Sequence, residues 1–328
     1  MESSKKISKE GLAKLDKLFG KGAIMQLSDG PIEGIERISS GSLYLNHSLG
    51  GGWPLGRIIE LYGQESSGKS STCIHLLAEA QKAGHVCGYI DMEMSFDPKY
   101  ANDLGVDSEA LLITQPGSGE QAIDIARAMI ESGEVSVIIV DSTSTLVPQA
   151  EIDGDTADHA VGSQARLLSK ALRKLNPLAS KHNCLIVFIS QLRLKIGVSF
   201  GDPRVIGVGE ALKFYASIRV EISKSAPIKD ERGEPCGHTM KFNIKKNKTH
   251  APFKTAEIIF RYGTGFDSFS EIVDLATQME IIKKSGSWYS YGETKLGQGA
   301  EKVIELLKDN PELTEELTTF VKKGLSQQ

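Results

Sequence analysis

Four cysteines, two tryptophans and no long apolar run in 328 residues remove several classes of protein at once. Cys73, Cys87, Cys184 and Cys236 are scattered, with no C-x-x-C pair among them. That spacing supports neither a disulfide framework nor a metal site, and three of the four lie in or beside apolar runs, as buried thiols do. A reducing cytoplasm is the expected setting. No window approaches the roughly 18 uninterrupted apolar residues of a membrane span, so no membrane association is expected. The opening stretch MESSKKISKEGLAKLDKLFGKG is basic and helical in pattern but lacks the apolar segment of a secretory signal. Charge of one sign is also missing. With 38 basic and 42 acidic residues the net charge is −4, so any nucleic-acid binding must rest on local basic patches.

What is present begins with GQESSGKS, comprising Gly63, Gln64, Glu65, Ser66, Ser67, Gly68, Lys69 and Ser70, with Ser71 following. The pattern G-x-x-x-x-G-K-[ST] follows a strand-like run, RIIELY, and opens a helical one. Glycines there let successive N–H groups turn towards phosphate oxygens, Lys69 reaches the β- and γ-phosphates, and the Ser70 hydroxyl joins Mg²⁺. The expected cofactors are ATP and Mg²⁺. A second half of such a site is visible at VSVIIVD, where Asp141 ends an apolar strand and becomes a candidate metal partner. Hydrolysis also needs a group to orient water. Asp91, Glu93 and Asp97 lie just past the strand VCGYID, and spacing leaves open whether one of them does so or all are solvated capping acids.

Candidate strands at 57–62, 86–91, 135–141 and 184–190 alternate with helical patterns, which predicts an α/β fold with a mostly parallel sheet covered on both faces. After Lys213 the runs ASIRVEI, HTMKFNIKKNK and TAEIIF predict an antiparallel extension. Residues 1–30 read as an N-terminal helical arm, 31–265 as the core, and 266–328 as a small α+β C-terminal domain. The segments 152–162 and 192–213 are glycine-bearing, the second with Arg193, Lys195 and Arg204 interleaved. Such a loop is either functional or disordered, and its cations suit a phosphate backbone. The helix between carries Arg166, Arg173 and Lys174, which form either a solvated face or part of that surface.

Taken together, GQESSGKS, YIDMEMSFDP, IIVDS, SQLRLKIGV, ALKFYAS, KNKTHAPFK and GSWYSY occur in an order that closely resembles the bacterial RecA family of ATP-dependent recombinases. The likeness runs from FGKGAIM at 19–25 to LGQG at 296–299. It implies homologous recombination, DNA repair and the DNA-damage (SOS) response. Its mechanism would be a homo-oligomeric helical filament on single-stranded DNA that pairs with double-stranded DNA and hydrolyses ATP. By resemblance Glu93 is the catalytic glutamate, Gln191 the γ-phosphate sensor, and Asp97, Tyr100 and Tyr262 nucleotide contacts. Lys246 and Lys248 match lysines that reach the ATP of a neighbouring subunit, and Phe214 an interface aromatic. Arg166, Ser169, Arg173, Arg193, Lys195, Val208, Gly209 and Glu210 fall at DNA-binding positions. Here Val208, Gly209 and Glu210 stand where the family usually carries Gly-Gly-Asn, and the closing KKGLSQQ is not the acidic tail of many members. Two other readings stand beside this one: a non-polymerising DNA-stimulated ATPase of the same fold, such as a helicase or repair accessory, and a small-molecule phosphotransferase.

Overall fold

The computed structural model describes residues 7–20, 24, 34–154, 162–194, 204–207, 210–230 and 232–326. Residues 1–36 and 37–328 form two units. In the first, helix α1 (Lys9–Phe19) starts at Ser8, whose hydroxyl accepts the Gly11 N–H at 3.1 Å. An apolar pair, Leu18 and Phe19, is exposed near its end.

The second unit opens with the short strand β1 (Arg37–Ile38), helix α2 (Leu43–Leu49) and strand β2 (Trp53–Pro54). Then come β3 (Ile58–Gly63), α3 (Lys69–Lys82), β4 (Val86–Asp91), α4 (Pro98–Asp103), β5 (Leu112–Thr114), α5 (Gly119–Glu131) and β6 (Val135–Asp141). After α6 (Gln149–Ile152) and α7 (Ser163–Lys181), β7 (Leu185–Leu194) and β8 (Arg204–Ile206) make an antiparallel pair. Helix α8 (Ala211–Tyr215) leads into β9 (Ile218–Lys229), β10 (Pro235–Asn247), β11 (Thr255–Arg261) and β12 (Gly265–Phe266). The chain finishes with α9 (Ser268–Gln278), the antiparallel strands β13 (Lys283–Ser285), β14 (Trp288–Tyr291) and β15 (Thr294–Gln298), then α10 (Ala300–Asp309) and α11 (Pro311–Leu325).

The central sheet runs β12-β11-β10-β9-β3-β7-β6-β4-β5. From β9 to β5 the neighbours are parallel, and from β9 to β12 antiparallel, as the sequence predicts. Strands β3, β4, β6 and β7 each feed both faces; in β6, Val137 and Ile139 join the core beneath α2 and α3, while Ile138 and Val140 join the core beneath α5 and α7. That double use is why these strands read as continuous apolar runs. The predicted strand at 184–190 continues to Leu194, where Leu192 faces Ile206 and Leu194 faces Arg204. Residues expected to begin a loop are thus paired antiparallel with β8.

The C-terminal helices pack around their own cluster, including Ile272, Leu275, Tyr289, Leu307 and Val321. Glu271 joins that part to α2: its carboxylate accepts from the Ser42 hydroxyl at 2.6 Å and the Leu43 N–H at 2.8 Å. Burial pushes this carboxyl up to about 7. An unfolded glutamic acid ionises near 4.3, so the stabilisation is full below that pH and disappears as pH rises through about 7. We expect stability to fall on the order of 1 kcal/mol between about pH 6 and 8.5. Calorimetry of Glu271→Gln should give a flatter pH profile; a profile parallel to the parent's would assign the dependence elsewhere.

Candidate nucleotide site and nucleic-acid interface

Four neighbouring parallel strands, β3, β7, β6 and β4, end at the same edge and deliver the chemistry there. The turn after β3 is the phosphate loop. Gly68 starts α3 with φ +95°, and a Cβ on it would lie 2.4 Å from Met240 Cε. A Cβ on Gly63 would lie 2.2 Å from the Ile222 carbonyl oxygen. Both glycines are therefore demanded by backbone shape and floor contacts, as the spacing argument requires. Lys69 is 7% exposed and donates to the Gln64 carbonyl at 2.8 Å and more weakly to Gly63 at 3.4 Å. Burial lowers its pKa, while Asp141, Glu93 and Glu65 pull it back up. Ser67 is 2% exposed and its hydroxyl has no partner among the described residues. A buried hydroxyl without a partner fits an acceptor, and a phosphate oxygen is one.

At the end of β6, Asp141 accepts from Ser70 Oγ and Tyr89 OH, each at 2.7 Å. Burial raises its pKa against the pull of those donors and of Lys69. The Ser70 and Asp141 oxygens are the hard ligands a magnesium ion accepts.

The three acids left open by spacing now separate. Asp91 is 1% exposed and is consumed by the turn it begins, accepting from Ser95 N, Phe96 N and Gln115 Nε2. Asp97 caps α4, accepting from the N–H groups of Lys99 at 2.9 Å and Tyr100 at 3.2 Å. Glu93 alone of the three faces the strand ends: Oε1 accepts from Ser142 Oγ at 2.5 Å and Gln191 Nε2 at 2.8 Å. Lys69, Ser70, Asp141, Glu93 and Gln191 are thereby one connected cluster. Tyr100 joins its edge through a 3.0 Å bond to Ser71 Oγ.

Tyr262 is 53% exposed, and its N–H donates to the Cys236 carbonyl at 3.0 Å. Beside its ring lies His238, at 5.7 Å between centroids. His238 is 5% exposed, and neither ring nitrogen has a partner among the described residues. Sequence reasoning missed His238, Ser142 and Tyr89; only Ser142, adjacent to Asp141, carried a usable signal.

Lys246 and Lys248 do not enter the cluster. Lys246 Nζ donates to the carbonyls of Lys213 at 2.6 Å and Phe214 at 3.2 Å, at the end of α8. Phe214 itself is 71% exposed. Arg166 and Arg173 are exposed on α7 with half-buried Ser169 between them, and Arg193 is exposed on the β7 hairpin. Lys195, Val208 and Gly209 lie outside the described residues. Glu210 is exposed and ion-paired to Lys213 one turn on, so its charge is already compensated within α8.

A phosphate loop at the tip of a central parallel strand, a strand-end aspartate bonded to the loop serine, and an acid held past the strand next to that aspartate define a P-loop ATPase. Comparison with known proteins narrows this. The family model of the RecA N-terminal domain matches residues 6–267, and that of the RecA C-terminal domain matches 270–326. The curated Protein RecA of Porphyromonas gingivalis is 51% identical over 95% of this chain and 92% of its own length. That of Bacteroides thetaiotaomicron is 50% identical over 99% of both chains. That of Mycoplasma mycoides subsp. mycoides is 48% identical over 100% of this chain and 94% of its own. The chain belongs to the RecA family, the DNA-dependent ATPases of homologous recombination and repair.

Proposed function

We propose that this chain binds Mg²⁺–ATP at the loop 63–71, polymerises on single-stranded DNA, pairs that strand with homologous duplex and exchanges strands. Hydrolysis then weakens DNA binding. The observation that carries the reading is the 2.8 Å bond from Gln191 to Glu93, which joins the candidate water-orienting acid to the hairpin leading to a candidate DNA loop. A ligand contacting either partner biases the other through differential contacts.

ATP fits the cluster on two counts: the glycine-shaped loop and the Ser67 hydroxyl, which has no partner among the described residues. Bound Mg²⁺ would neutralise phosphate charge, with Ser70 and Asp141 holding it. Lys69 holds the β- and γ-phosphates, and Glu93 orients the attacking water and takes up its proton. Arg166, Ser169, Arg173, Arg193, Lys195 and residues 208–210 would line the DNA path, and Asp97, Tyr100 and Tyr262 the base. The arm 1–30 serves assembly, with Leu18 and Phe19 of α1 as its apolar contacts, and residues 266–328 meet incoming duplex. The setting is the cytoplasm, within the DNA-damage response.

Electron microscopy with single-stranded DNA and a slowly hydrolysed ATP analogue tests the whole reading. Regular filaments are expected; dispersed monomers at saturating DNA and nucleotide would favour a non-polymerising ATPase. Lys246→Ala and Lys248→Ala should each lower DNA-stimulated hydrolysis by about 10- to 100-fold while isolated subunits still bind nucleotide, as for a cation acting across an interface. Mixing either variant with Glu93→Gln creates interfaces holding one intact Glu93 and intact lysines. Recovered activity is the expected outcome. Co-assembly without recovery would remove the role in trans.

A further inference from the structure

Helix α3 carries the phosphate loop's lysine at its start, yet its second turn is occupied with something else. His75 stacks on Phe266 with ring centroids 4.0 Å apart and planes 9° from parallel. His75 Nε2 also accepts the Phe266 N–H at 3.1 Å. Burial lowers the imidazole to about 4, which keeps that nitrogen unprotonated and able to accept at neutral pH. Between the two residues the backbone is pressed close. A Cβ on Gly265, where φ is +78°, would lie 2.2 Å from His75 Nε2 and 2.8 Å from Leu104 Cδ2. Leu104 caps the end of α4, the helix bearing Tyr100. Three elements therefore converge on Gly265.

One turn earlier on the same face of α3 is Ser71, which bonds Tyr100 OH at 3.0 Å. Residues four apart on a helix lie one above the other. Ser71 thus fixes one candidate base-contacting tyrosine, and His75 fixes the turn 262–266 that carries the other. Elsewhere the turn is held by its own strands and by the start of α9: Tyr262 N–H donates to the Cys236 carbonyl, and Arg261 pairs with Asp267 at 2.5 Å. The His75 bond refers this turn to the helix that begins at the phosphate loop.

We propose that the Ser71/His75 face of α3 gauges the slot for the nucleoside base, with His75 a positioning residue that sets the Tyr262 turn relative to the bound phosphates. The ligand class is a nucleoside triphosphate, recognised at both ends by one rigid helix. The proposal rests on the nucleotide site described above. It separates two contributions that a disrupted loop would lose together: base recognition depends on His75, and polyphosphate binding does not.

The test uses the full-length protein, titrated calorimetrically with ATP and with inorganic tripolyphosphate in Mg²⁺ buffer. His75→Ala should weaken ATP about tenfold and leave tripolyphosphate within about twofold. His75→Gln, whose side-chain oxygen can accept the Phe266 N–H, should recover part of the ATP affinity. Phe266→Leu, which keeps the backbone N–H but removes the ring stacked on His75, should give the same selective loss and serves if His75→Ala does not fold. An unchanged ATP-to-tripolyphosphate ratio in His75→Ala, or equal weakening of both ligands, would overturn the proposal. A parent protein that binds tripolyphosphate as tightly as ATP would instead remove the base site itself.

Discussion

Lys69→Ala should reduce single-stranded-DNA-stimulated ATP hydrolysis by at least about 100-fold, a barrier increase of ~2.7 kcal/mol, and abolish strand exchange. The ammonium is almost fully buried and braced against two carbonyls of the loop, so its charge is already held at the place where the phosphates would sit. Preorganised charge of this kind is effective because little water competes for it. Its loss also leaves Asp141 and Glu93 without their nearby cation, as the electrostatic influence of both on Lys69 implies. ATP binding should therefore weaken along with turnover. Lys69→Arg separates charge from shape: the planar guanidinium keeps the charge but not the point geometry, so binding should persist better than hydrolysis. Strand exchange at the parent rate by Lys69→Ala would contradict the phosphate assignment.

Glu93→Gln should give the opposite phenotype in DNA binding. The amide oxygen can still accept from Ser142 and Gln191, so the local bonds survive while the basic carboxylate is gone. Removing a positioned general base typically costs ~10²–10⁴ in rate, and a hydrolysis decrease in that range is expected with ATP affinity nearly unchanged. Because turnover releases DNA in the proposed cycle, the variant should hold single-stranded DNA for far longer than the parent. Stopped-flow phosphate release and DNA dissociation measured on the same sample check both halves. Undiminished phosphate release would transfer the role to another group. Asp91 and Asp97 are poor substitutes, since one is bound into its turn and the other caps α4.

The phosphate loop and Asp141 were legible in one dimension because each depends on its neighbours in the chain. Gly63, Gly68 and Lys69 sit within one turn, and Asp141 terminates a strand whose apolar run is its own signal. The choice among Asp91, Glu93 and Asp97 was not legible by pattern, because it is made by partners 49 and 98 residues from Glu93, namely Ser142 and Gln191. Resemblance supplied that choice, and the side-chain geometry gives it a physical reason. The extension of β7 to Leu194 escaped notice because its partner β8 is only three residues long and follows a glycine-bearing stretch. Helix α8, five residues long, and the two-residue strands β1 and β2 are too short to display a period. His238 was invisible for another reason: a histidine on an alternating strand looks like any half-buried residue until its nitrogens are found without partners.

The berth of Lys246 on the Lys213 and Phe214 carbonyls has a consequence for how activity depends on the amount of protein present. One ammonium cannot hold those carbonyls in its own subunit and extend fully to a phosphate in the next. Leaving the berth forfeits hydrogen bonds worth ~0.5–1.5 kcal/mol each, a loss offset only where a neighbour offers a stronger anion. On the reading in trans, dilute subunits keep the lysine at home and stay catalytically silent even when saturated with ATP. Turnover should then rise collectively, over the same narrow concentration range in which chains begin to associate, rather than in proportion to the number of nucleotide-loaded molecules.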